Sequence, residues 1–225
     1  MKFVINVAVI VSLMLASQGA VLADSALDAY KALGIDEGKV MNGTTFNVQV
    51  IPGEGKQVVS MTTYLTGEKK ESIALGVRLD VLQPQKGELV AVYSRHFGEE
   101  NGGYVADGNL QVLDLDRNGV SEIIVSYGDF KNPLIDHVVG EVIFYEENGF
   151  ETVWKGPMEY DATRAARDVP AERRDRYVRA LDPIETMRSG GATLVFNKRM
   201  IAVAGQRLPT PKAVQETFPI RVRER

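Results

Sequence analysis

Leu110-Gln111-Val112-Leu113-Asp114-Leu115-Asp116-Arg117-Asn118-Gly119-Val120-Ser121-Glu122-Ile123-Ile124-Val125-Ser126-Tyr127 is the stretch on which the fold turns. Two apolar runs rich in β-branched residues flank a short acidic loop. Val, Ile and Tyr suit a pleated, half-buried surface, so each run is expected to be a strand. Asn118-Gly119 marks a tight reversal, because both residues tolerate positive φ. Oxygen-bearing side chains stand at loop positions one, three, five and nine: Asp114, Asp116, Asn118 and Glu122. A hard cation needs that alternation, since Ca²⁺ takes roughly six to eight oxygen ligands. Mg²⁺ keeps its waters and demands a tighter octahedron, so Ca²⁺ is the expected ion. Three carboxylates converging on one loop would repel one another unless a cation or Arg117 compensates.

The same alternation extends outward. Thr44 to Ile51, Gln57 to Leu65, Ser72 to Leu82 and Glu88 to Phe97 read as strands, separated by turns at residues 52–55, 67–71 and 84–87. Val138 to Glu146 and Phe150 to Trp154 form a further pair around Asn148-Gly149, ended by Gly156-Pro157. Short strands divided by Gly, Pro and Asn turns predict a mostly β chain. Asp24 to Leu33 is expected to be a short helix stopped by Gly34. Residues 161–188 change character and are expected to be a helical insertion, with Ala171 to Leu181 as its main helix after Pro170. Thr193 to Phe196 and Met200 to Ala204 read as a last hairpin turned at Asn197-Lys198. Residues 205–211 read as loop, with one more edge strand in the tail.

Composition bounds the function. Met1-Lys2, the apolar run Phe3 to Ala16 and the small residues to Ala23 have the pattern of a secretory signal peptide over 1–23, which predicts a periplasmic or secreted protein. Residues 24–225 are then one β-rich domain. The chain contains no Cys, so disulfides and Cys nucleophiles are excluded. Residues 24–160 carry 22 acidic and 11 basic side chains, net −11, whereas residues 161–225 carry 8 and 14, net +6. The plain reading is that the two segments neutralise each other. The sharper one gives Arg164, Arg167, Arg173, Arg174, Arg176 and Arg179 to a basic helix that meets an anionic surface.

The sequence from Val112 to Val125 resembles the calcium-binding blade motif of integrin-type FG-GAP and VCBS repeats: apolar strand, D-x-D/N-x-D/N-G-x-x-D/E, apolar strand. The resemblance covers one motif, with blade strands at about 110–114, 121–127, 138–146 and 150–155. It implies a propeller-like arrangement of antiparallel sheets. It also implies a ligand set of Asp114, Asp116, Asn118 and Glu122 through their side chains and Val120 through its carbonyl. Arg117 stands where the family often has Gly.

Catalytic patterns are missing from the sequence. His96 and His137 lie far apart without metal-ligand spacing. There is no G-x-S-x-G and no H-E-x-x-H, and Gly102-Gly103 lacks the Gly-Lys-Ser/Thr of a phosphate loop. No cofactor other than Ca²⁺ is expected, and nucleic acid is not an expected partner. The resulting expectation is an exported calcium-binding protein rather than an enzyme. Its role is binding or scaffolding, with an envelope protein or an anionic envelope component as partner. The rival readings are an envelope hydrolase acting on glycans and a small adhesion or assembly module.

Overall fold

Strand follows strand from Val40 onward, and within each sheet every strand pairs antiparallel with the one before it. A computed structural model of the chain describes residues 28–69, 72–97, 105–129, 135–147, 149–165, 169–190 and 192–220. The proposed signal peptide, the start of the first helix, Arg167 and Asn148 lie outside the described residues. Helix α1 covers residues 28–33, and a 3-10 turn at Glu37–Lys39 leads into the sheets.

The first sheet is a meander of β1 (Val40–Val48), β2 (Gln57–Lys69), β3 (Ser72–Gln85) and β4 (Glu88–Phe97). The second contains β5 (Val105–Leu113), β6 (Glu122–Asp129), β7 (Asp136–Glu146), β8 (Gly149–Asp161), β9 (Arg176–Leu181), β10 (Thr193–Val203) and β11 (Gln206–Pro219), again in chain order. Every pairing is antiparallel. The mostly β expectation is met. Strands β5 to β8 stand where the resemblance puts a four-stranded blade. The sheet does not stop there, because β8 pairs onward with β9 at Glu159–Val178 and Tyr160–Tyr177. Among the described residues the strands form two sheets and no closed ring.

The main core lies between the sheets. Val59, Met61, Val77, Leu79 and Val81 of the first meet Leu110, Ile123, Val125, Tyr127, Val139 and Ile143 of the second. Alternate residues of β6 and β7 point the other way. Ile124, Val142 and Phe144 join Trp154, Leu194, Phe196 and Ile220 in a second cluster. Strand β6 is therefore covered on both faces, which explains its nearly continuous apolar run. The second cluster depends on close backbone approach. Gly140 and Gly156 are cross-strand partners, and a Cβ at Gly156 would lie 2.9 Å from the Trp154 indole.

Two expectations for residues 161–205 are corrected. The helix over Ala171 to Leu181 does not form: Ala171–Arg173 is one 3-10 turn and Arg176–Leu181 is β9. Most of this segment is polar, and its register is set by pairing with β8 and β10. Among the described residues, the α-helix of the insertion is α2 (Pro183–Arg188), with Pro at its first turn and Asp182 accepting from the Glu185 N–H at 3.1 Å. The Asn197-Lys198 turn is also absent. Those residues continue β10, paired with β9 on one side and β11 on the other. The reversal falls at Ala204-Gly205, with φ of 51° and 78°, and residues 206–211 are strand rather than loop.

Candidate metal centre

The acidic loop joins the end of β5 to the start of β6. Asp114 closes it from within: its Oδ1 accepts from Asn118 N–H at 3.0 Å and its Oδ2 from Gly119 N–H at 2.9 Å. Asp116 accepts from the Asn118 backbone at 3.2 Å and from the Asn118 amide at 2.8 Å. Asn118 Oδ1 accepts in turn from Val120 N–H at 2.7 Å. Such local side-chain bonds are the reason Asp and Asn favour turns over regular structure. Arg117 and Gly119 take positive φ, 62° and 85°. For Arg117 that left-handed conformation costs roughly 1–2 kcal/mol, so the loop is held by its neighbours rather than by its own preference.

Two anchors fix the loop to the body. Leu115 is fully buried in the second cluster, and its N–H donates to Glu122 Oε2 at 2.5 Å. Ser121 N–H donates to Gln49 O at 2.8 Å, tying the loop to the β1–β2 connection. That connection is stapled by the buried Gln57, whose Oε1 accepts from Val50 and Ile51 and whose Nε2 donates to Gly55 O. Neither anchor was anticipated. An isolated Leu inside an acidic loop was the one available signal for the first, and the second joins residues distant in sequence.

The structure brings Asp114, Asp116 and Glu122 together, with one oxygen of each lying within 4.8 Å of the others. Asn118 touches this group through Asp116. Val120 enters through its N–H; the carbonyl that the resemblance assigns to an ion belongs to the same residue. Glu122 is 3% exposed. Burial pushes its carboxyl up to about 8, and the charges of Asp116 and Asp114 push the same way against the Leu115 hydrogen bond. A divalent cation would offset the repulsion among these carboxylates.

The raised value has a consequence for pH. The native state without metal holds a proton on Glu122 that the unfolded chain, at an ordinary 4.5, has released. Its stabilising contribution is complete below about 4.5 and is lost as pH rises to about 8. With chelator present, the urea midpoint should fall between those limits, and Glu122→Gln should flatten that slope. Equal slopes for the two proteins would show that Glu122 does not carry the effect.

The two histidines are not brought together. His96 Nδ1 and the Tyr64 hydroxyl are 2.9 Å apart, while His137 packs edge-on against Tyr160. Among the described arginines, Arg173 ends a 3-10 turn and Arg176 and Arg179 stand on β9. Arg176 pairs with Asp161 at 3.2 Å, and Arg179 is buried against Glu216 at 2.6 Å. Both pairs lie within the basic segment itself, where Asp161 and Glu216 offset part of its charge. No protein-family model, curated protein or solved structure matches the chain.

Proposed function

We propose that the 114–122 loop binds Ca²⁺ and that the protein is an exported binding or scaffolding component of the cell envelope. The convergence of three carboxylates from one loop within 4.8 Å supports the metal reading most directly. Asp114, Asp116, Asn118 and Glu122 supply side-chain oxygens and Val120 a carbonyl, a donor set of hard oxygens suited to calcium. The blade-like run β5–β8 supports a relation to the FG-GAP and VCBS repeats, and a propeller-like assembly is part of this proposal. Export rests on the signal-peptide pattern of residues 1–23. Among the described residues no helix is long and apolar enough to cross a membrane. The partner we propose is an envelope protein or an anionic envelope component. The burial of Arg179 against Glu216 leaves less positive surface for the anionic class.

Calorimetric titration of calcium into Asp114→Ala and Asp107→Asn tests the site. Asp107 lies in β5 outside the loop at φ 55°, a conformation Asn tolerates. The first variant should lose calcium binding, and the second should bind as the parent protein does. Equal affinities in the two variants would remove the loop from consideration.

A further inference from the structure

Beside the acidic loop, the same end of the molecule holds a groove. The chain reverses there between β7 and β8, and the β1–β2 connection, hydrogen-bonded to the loop through Ser121 and Gln49, lies alongside. The groove has a volume of about 430 Å³ and opens between β4 and the β7–β8 hairpin. Tyr93, Tyr145 and Phe150 line it, with Phe150 centred 4.9 Å from Tyr93 and 5.1 Å from Tyr145. Glu54 and Gln83 line it as well, joined by a 2.7 Å hydrogen bond from Gln83 Nε2 to Glu54 Oε2. Val92, 40% exposed, stands on the rim.

From this lining we infer that the groove is a binding site for a neutral saccharide. Its volume lies in the usual range for small-molecule sites. The faces of aromatic rings carry partial negative charge and attract the polarised C–H face of a sugar ring. A carboxylate and a carboxamide offer acceptors and donors to the hydroxyl edge, and their mutual hydrogen bond holds both in place beforehand. None of the lining side chains is cationic, so phosphorylated sugars and uronic acids would meet Glu54 without a compensating charge. A purely apolar occupant would bury the Glu54 carboxylate without a replacement for water, at a cost in affinity. An amphipathic, uncharged, hydroxyl-rich ring satisfies both kinds of lining side chain.

A further cavity of about 150 Å³ lies against Trp154, Met158 and Phe196 of the second sheet, and the cation lining it, Arg179, is already neutralised by Glu216.

The saccharide site deepens the binding role proposed above and rests on it, but it uses none of the calcium ligands. The full chain without its first 23 residues, nitrogen-labelled, is titrated by NMR with N-acetylglucosamine, its trimer, maltotriose and mannotriose. Galacturonic acid and an apolar tripeptide serve as contrasts. At millimolar ligand, at least one neutral sugar should shift amides near residues 51–54, 83, 92–93 and 149–150, whereas the acid and the peptide should not. Val92→Arg and Glu54→Ala, both at exposed positions, should each weaken binding about tenfold or more while leaving distant resonances in place. No groove shift with any neutral sugar overturns the inference. So does binding by the peptide alone, or undiminished binding in both variants. A parallel calcium titration of the same samples reports on the metal loop separately, so failure there is not confused with failure of the groove.

Discussion

Saturating calcium is expected to raise the melting temperature of this protein by about 5–10 °C over a chelator-treated sample. The loop oxygens converge only when β5 and β6 are paired, so the ion binds the native state in preference to the unfolded chain. At about 100 times the dissociation constant that preference is worth roughly 2.7 kcal/mol, and a domain of this size shifts by about 2–4 °C for each kcal/mol. Asp114→Ala should melt at the same temperature with and without calcium, since Asp114 organises the loop through two backbone hydrogen bonds and is the first of the ligands proposed. The parent melting at one temperature under both conditions would rule out calcium as a stabiliser.

The second large effect is expected away from the loop, at Glu141. This carboxylate is fully buried between the sheets. It pairs with Arg95 of β4 at 2.7 Å and with Lys155 of β8 at 2.9 Å, and it accepts from the Tyr127 hydroxyl at 2.9 Å. Burial raises the Tyr127 phenol well above its ordinary value, and the Glu141 charge raises it further. Arg95 also donates to Thr152 at 2.8 Å, so one side chain ties the first sheet to β7 and β8. Because two cations serve one carboxylate, losing either alone leaves a partner in place. Arg95→Ala with Lys155→Ala leaves an uncompensated buried charge, which costs about 3–5 kcal/mol. Urea denaturation should show the double variant destabilised by more than the sum of the singles. Strict additivity of the two single losses would mean that Glu141 is reached by water and needs neither partner.

The hairpin from Leu110 to Tyr127 was legible in the sequence because everything that specifies it is local. Two apolar runs define the strands, and the spacing of Asp114, Asp116 and Glu122 places three carboxylates in one loop; of the Asn118-Gly119 pair only Gly119 takes positive φ, the other such position falling on Arg117. The preceding meander was legible for the same reason, although β1 begins at Val40, four residues before its expected start. Local signals failed where long-range pairing overruled them. Arg176 to Leu181 carries little apolar periodicity, yet it is held as a strand between β8 and β10. There Arg179 lies over the rings of Trp154, Tyr177 and Phe218 while bonded to Glu216. Asn197-Lys198 could have turned, but cross-strand partners on both sides keep it extended, and the reversal moves to Ala204, an unexpected residue for positive φ. The sequence alone determined the strands from the first meander to the β7–β8 pair, the acidic loop and its complement of oxygens. Tertiary structure alone decided that Glu122 would be buried, that Leu115 and Gln49 would hold the loop, and that Glu141 would join the sheets, because each depends on contacts between residues far apart in the chain.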